Sequence, residues 1–155
     1  MDNRIILYID ILGFSDIVNE DKGRIVKHVI DIFNAMDESP AFEHDIFSVL
    51  QFSDTLIIYS KNAPCSDDEQ QYMVGYLCEF AQHLQYKLLS RNVFFRAVLT
   101  KGDFYDVAPG DSVHTFKNIR AFWGSALVDA AEKEKSIKAI GLFIDNKKNN
   151  HRNLV

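Results

Sequence analysis

Apolar runs of strand length and apolar stripes of helical spacing alternate along this chain in the order βαββαβ, and that order restricts the fold more than any other feature. The first strand runs from about Arg4 to Ile11, through Ile5-Ile6-Leu7-Tyr8-Ile9. Beyond a short turn, Ile25, Val26, Val29, Ile30, Ile32, Phe33 and Met36 recur at helical spacing, and Ser39-Pro40 ends the run. Two further strands, roughly Phe47 to Phe52 and Thr55 to Ser60, are separated by Ser53-Asp54 alone, which reads as the tip of a tight hairpin. Ser66 and Glu69 have capping-box spacing, and a long helix follows them, with Tyr72, Met73, Tyr76, Leu77, Phe80, Leu84 and Leu88 on one stripe. Arg91-Asn92 breaks that helix. Val93 to Thr100 is a fourth strand, which Lys101-Gly102-Asp103 turns into a short Phe104-Tyr105 segment.

The rest of the chain appends a β-α-β unit. Pro109-Gly110-Asp111 is a loop, Ile119 to Trp123 a short strand, Ser125 to about Lys135 a helix and Ile140 to Ile144 a last strand. The expected fold is α+β, a ferredoxin-like or palm βαββαβ core with an appended β-α-β, its antiparallel sheet carrying helices on one face. One domain covers residues 4–145, and residues 146–155 form a polar tail.

Composition narrows the function classes. A length of 155 residues gives room for one core, and a formal charge of -5 without a long basic run argues against a nucleic-acid binder. No apolar stretch approaches the roughly 18 residues that span a bilayer. Cys65 and Cys78 lack CxxC spacing, and the N-terminus enters a strand directly, so the expectation is a reduced, cytoplasmic protein with no membrane partner. His28, His44, His83, His114 and His151 show no zinc-site spacing.

Two carboxylates stand where packing gives them no reason to be. Asp10 lies near the end of the first strand and Asp54 in the hairpin. In a split βαβ arrangement the third strand lies antiparallel beside the first, which brings these two ends together. A hard divalent cation takes one or two carboxylates plus substrate phosphates, so the pair suits Mg²⁺ or Mn²⁺ beside a nucleoside triphosphate. Leu12-Gly13-Phe14-Ser15, just before a helix, offers backbone N–H groups to the phosphates. The alternative is structural: a strand-end residue and a hairpin satisfied by its own Asp.

At these residues the chain resembles the class III nucleotide cyclase catalytic domain. Asp10-Ile11-Leu12-Gly13-Phe14-Ser15 matches that family's first metal-binding strand and phosphate loop, and Ser53-Asp54 takes the place of its Gly-Asp hairpin. Arg96-Ala97-Val98-Leu99-Thr100-Lys101-Gly102 is similar to its fourth strand, and Phe122-Trp123-Gly124-Ser125-Ala126-Leu127-Val128-Asp129-Ala130-Ala131 to its final catalytic strand and helix. The resemblance implies a two-metal site on Asp10, Ile11 and Asp54, and a nucleotide site drawing on Ile11, Leu12, Gly13, Phe14, Ser15, Lys101 and Arg120. Arg96 would join Asp10 and Asp54 in catalysis. A homodimer with composite active sites is implied as well.

Departures from the pattern sharpen the reading. The family's purine-reading positions fall at Leu50 and Ala121, and its transition-state Asn and Arg at Val128 and Glu132. A kept metal half beside a lost purine pocket is similar to the bacterial pyrimidine cyclases of anti-phage defence. Those make cyclic UMP or cyclic CMP as a signal for a separate effector. Two readings stay open beside it: a degenerate cyclase-like domain without turnover, and a palm-fold enzyme joining nucleotides into cyclic dinucleotides.

Overall fold

A computed structural model of the chain describes residues 3–21, 24, 27, 30, 31, 45–107 and 121–145. Its elements are β1 (Asn3–Ile11), α1 (Phe14–Asp21), β2 (Phe47–Phe52), β3 (Thr55–Ser60), α2 (Asp67–Leu89), β4 (Phe95–Asp103), β5 (Tyr105–Val107), β6 (Ala121–Trp123), α3 (Ser125–Ser136) and β7 (Gly141–Ile144). Five strands form one sheet in the order β2-β3-β1-β4-β7, and β5 pairs with β6 alone. All pairings are antiparallel except β4 with β7.

The near-continuous apolar run of β1 reflects its central place. It is flanked on both edges and covered on both faces, so Ile5, Ile6, Leu7, Ile9 and Ile11 are all buried. Alternate residues serve different layers. Ile5, Leu7, Ile9 and Ile11 pack with Leu56, Ile58, Phe95, Ala97 and Leu99 under Met73, Leu77, Phe80, Ala81, Leu84 and Leu88 of α2. Ile6 packs on the other face with Ile57, Tyr59, Phe104 and Ala126. The architecture is thus the expected mostly antiparallel α+β sheet, with α2 of the βαββαβ core on one face. The helix of the appended unit, α3, reaches the second layer through Ala126.

Local chemistry explains the ends of α2. Ser66 is its N-cap and accepts the Glu69 N–H at 3.1 Å, while a Glu69 carboxylate oxygen accepts the Cys65 N–H at 2.6 Å. Asn92 in the left-handed region, φ 57°, turns the chain out of the helix. The expected α2 stripe is right for Met73, Leu77, Phe80, Leu84 and Leu88, but Tyr72 is exposed and Tyr76 sits at the rim, stacked on Phe47 with ring centroids 5.1 Å apart.

The path along the chain departs from expectation at two places. The first helix starts at Phe14, inside the Leu12-Ser15 run expected just to precede it, because Gly13 at φ 69° turns the backbone immediately after β1 and Phe14 packs against the core. Of the stripe from Ile25 to Met36, only Ile30 is described; it is helical and exposed. Lys101-Gly102-Asp103 is not a turn: β4 continues through it, because Gly102 leaves room for Ala126, whose Cβ would stand 3.1 Å from a Cβ at that glycine. Pro109-Gly110-Asp111 and the 146–155 tail lie outside the described residues.

Candidate functional site

The sheet register delivers the juxtaposition the topology implied. Asp10, next to last in β1, pairs with Thr55 at the start of β3 and with Arg96 on β4. The Ile11 N–H donates to the Asp54 carbonyl at 2.9 Å, and Ser53, at φ 54°, makes the turn that seats Asp54 beside the end of β1. Asp10 faces the layer of Ile6 and Tyr8, on the α3 side of the sheet, because its position is even in β1.

Arg96 is the hub of the site. Its Nε lies 2.8 Å from Glu134 Oε1, its Nη1 donates to the Ile137 carbonyl at 2.9 Å, and its Nη2 reaches Asp10 Oδ2 only at 3.5 Å. Nε and Oε1 are fully buried and out of line for a hydrogen bond, so that contact is a charge pair. Arg96 therefore points neither to solvent nor along an open groove; it bridges β1 to the C-terminal end of α3. Sequence reasoning missed Glu134, which is only 5% exposed. The signal was there: Ala126, Ala130 and Glu134 follow one another four residues apart, so the glutamate continues the buried small-residue stripe of α3.

The electrostatics are strained. Burial pushes the Asp10 carboxyl up from its ordinary value of 3.8, the charge of Asp54 pushes it further, and Arg96 pulls it back. Burial also raises Glu134 from 4.5, as does the charge of Asp10, while Arg96 pulls it back. Two carboxyl groups, Asp10 and Glu134, thus share one guanidinium, with the charge of Asp54 close to Asp10. A proton or an added cation is what such a cluster lacks.

That donor set fits a divalent metal. Two carboxylates with an open side match the way Mg²⁺ is held, by one or two carboxylates and substrate phosphates. Among the described residues no group of three His, Cys, Asp or Glu side chains forms a cage of its own. Next to the pair, a Cβ at Gly13 would meet nothing within 4 Å, so the approach to the Leu12-Gly13 turn is open. The loop offers fewer donors than expected, however. The Ile11 and Leu12 amides are already bonded, to Asp54 and to Phe94, which leaves those of Gly13, Phe14 and Ser15 at the start of α1.

Other expected site residues fall elsewhere. Lys101 is opposite Ile5, five residues along β4 from Arg96, or about 17 Å at a strand rise of ~3.3 Å. Its Nζ bonds Gln70 of α2 on the far face, so one chain does not bring it to Asp10. Arg120 lies outside the described residues. Leu50 is half-buried beside the second core layer, whereas Ala121 and Glu132 are exposed and Val128 is 56% exposed. Phe104 is wholly buried, and Tyr105 stacks on Trp123, which is half exposed.

The sheet order and the appended β-α-β give the chain the palm-type fold seen in nucleotide cyclase catalytic domains. Solved structures carry the comparison. The adenylyl cyclase CyaB from P. aeruginosa superposes with a TM-score of 0.64 at 10% identity, over 94% of this chain and 77% of that one. A dimeric guanylyl cyclase domain of the RhoGC fusion protein from the aquatic fungus Blastocladiella emersonii gives 0.65 at 14%, over 92% and 78%. The guanylate cyclase domain of RhGC from Catenaria anguillulae, solved with GTP, gives 0.58 at 10%, over 92% and 78%. No protein-family model matches the chain, and no curated protein does. Among the described residues no helix is long and apolar enough to cross a membrane.

Proposed function

We propose that this chain is a divalent-cation-dependent nucleotide cyclase that converts UTP or CTP to the 3′,5′-cyclic monophosphate and pyrophosphate. One observation carries the reading. Asp10 and Asp54 lie side by side on a cyclase-type sheet while the positions that would read a purine hold Leu50 and Ala121. In the reaction the ribose 3′-oxygen attacks the α-phosphorus, the bond from that phosphorus to the bridging oxygen breaks, and the hydroxyl proton leaves to solvent or a base. Mg²⁺ or Mn²⁺ held by Asp10, Asp54 and Ile11 would lower the hydroxyl's pKa and offset charge on the departing diphosphate. The protein's own part is positioning: Asp10 and Asp54 set the metal-side geometry, and the Phe14 and Ser15 amides at the start of α1 meet the triphosphate.

A homodimer with composite sites belongs to the proposal. Tyr105, Trp123 and Val128 expose apolar surface around the β5-β6 hairpin and α3, a patch suited to a second copy. A cyclic pyrimidine nucleotide acting on a separate effector, in anti-phage defence, is the biological setting this reading carries with it, in the cytoplasm. Purified protein incubated with each of ATP, GTP, UTP and CTP and Mn²⁺, with products resolved by mass spectrometry, tests the assignment. Cyclic UMP or cyclic CMP is the expected product. Cyclisation of purines alone, a cyclic dinucleotide, or no product would refute it.

The second reading, nucleotide binding without turnover, has its own observation: an exposed valine and a glutamate occupy positions 128 and 132, where the resemblance implies Asn and Arg. Calorimetric titration that finds tight UTP or CTP binding by a protein yielding no product selects it.

A further inference from the structure

Arg96 stands in competition with any cation at Asp10, and its contacts are unequal. Toward α3 it makes a 2.8 Å charge pair with Glu134 and a 2.9 Å hydrogen bond to the Ile137 carbonyl; toward Asp10 it makes one contact, at 3.5 Å. The guanidinium is fixed in orientation because its planar fork spans both elements. Glu134 is 5% exposed and Arg96 is itself half-buried, so solvent screens the pair less than it would a surface pair. Among the described residues, an arginine in that place without Glu134 has Asp10 as its one remaining carboxylate partner. It would close onto it, since leaving a buried guanidinium unpaired is costly.

We propose that Glu134 and Arg96 act as a pair of positioning residues, in which Glu134 holds the Arg96 guanidinium on the α3 side so that the Asp10 carboxylate stays open to a divalent cation. The pair also ties α3 to the metal position: a cation arriving at Asp10 pushes Arg96 further onto Glu134 and Ile137, and a displaced α3 releases Arg96 onto Asp10. This rests on the proposed cation site at Asp10 and Asp54. It assigns no contact with substrate to either residue.

The test is Mn²⁺ affinity of the full chain, read by electron paramagnetic resonance of free Mn²⁺ without nucleotide, with thermal melts confirming that each variant is folded. Glu134→Gln should weaken Mn²⁺ binding about tenfold, the usual scale for residues that orient a ligand. Arg96→Met should tighten it. The deciding variant is the double one. Bulk electrostatics also makes a lost carboxylate weaken and a lost guanidinium strengthen cation binding, but additively. Because Glu134 acts here through Arg96, Glu134→Gln placed on Arg96→Met should change affinity less than twofold. A second loss of about tenfold on that background, or wild-type affinity in Glu134→Gln, overturns the proposal while leaving the cation site standing. Asp54→Asn separates the two layers: if it binds Mn²⁺ as wild type does, or if wild type binds none, the cation site itself fails and the proposal falls with it.

Discussion

Gly124 opens α3, and replacing it with alanine should be among the most damaging single-methyl changes in the molecule. Its φ of 154° with ψ of 162° belongs to a region that is essentially reserved for glycine. A Cβ there would stand 2.0 Å from the Asp103 carbonyl oxygen, 2.7 Å from Phe104 Cα and 2.8 Å from the Asp103 carbonyl carbon. All three are backbone atoms, so no side chain can swing away, and the chain must move by more than an ångström. Backbone strain of about 1–3 kcal/mol and overpacking of about 1–3 kcal/mol place the loss at about 2–6 kcal/mol. For a domain of this size, at about 2–4 °C per kcal/mol, melting falls by roughly 4–24 °C.

Two other glycines calibrate that figure in the same thermal-melt assay. Gly75 lies on the exposed side of α2 with nothing within 4 Å of a Cβ, so Gly75→Ala should gain about 0.5–1 kcal/mol. Gly13 also has open space but a φ of 69°, so Gly13→Ala should lose about 1–2 kcal/mol from conformation alone. The order of melting temperatures is therefore Gly75→Ala above wild type, then Gly13→Ala, then Gly124→Ala. Melting of Gly124→Ala within about 2 °C of wild type would refute the reasoning, since neither the close approach nor the dihedral would then be real.

Further outcomes concern the core and the charge cluster. Leu84 is fully buried on the core face of α2, and Leu84→Ala should cost about 3 kcal/mol by calorimetry or denaturant unfolding, with little change in the denaturant slope. Asp10 and Glu134 both have carboxyls raised above their ordinary 3.8 and 4.5, so their contribution to stability is fully present below those values and lost as pH rises through the raised ones. In metal-free buffer, Glu134→Gln should therefore gain stability relative to wild type as pH increases from about 4.5. A relative loss over that window would show that the burial inferred for Glu134 is wrong. Tyr59 donates to Asp106 across the second core layer, so Tyr59→Phe should cost about 1–2 kcal/mol in the same melts.

Periodicity was enough to read β1, the β2-β3 hairpin, α2 and α3, because each has a face that must be buried and a chemical stop: Ser53-Asp54, Ser66, Asn92 or Gly124. It was not enough at Gly102, which looked like a turn. Its role is to admit Ala126 against a continuing strand, a long-range contact that no local pattern records. Asp10 and Asp54 were legible as a pair because register follows from topology. The destinations of Arg96 and Lys101 were not. Both are cations on one strand, and only their parity and their distance along it decide that one meets Asp10 and Glu134 while the other meets Gln70. Glu134 was hidden for a similar reason: on a helix dense in Glu and Lys, its charge looked like surface until the Ala126–Ala130 stripe was extended by one turn.

The central claim is that Asp10 and Asp54 together hold a divalent cation against a pyrimidine triphosphate. Crystals grown with Mn²⁺ and a non-cyclisable UTP analogue lacking the 3′-hydroxyl test it directly through the anomalous signal of manganese. The account predicts a peak about 2.0–2.2 Å from carboxylate oxygens of both aspartates and in contact with the triphosphate. A triphosphate bound with no manganese at this pair, or manganese held at residues elsewhere, would contradict it.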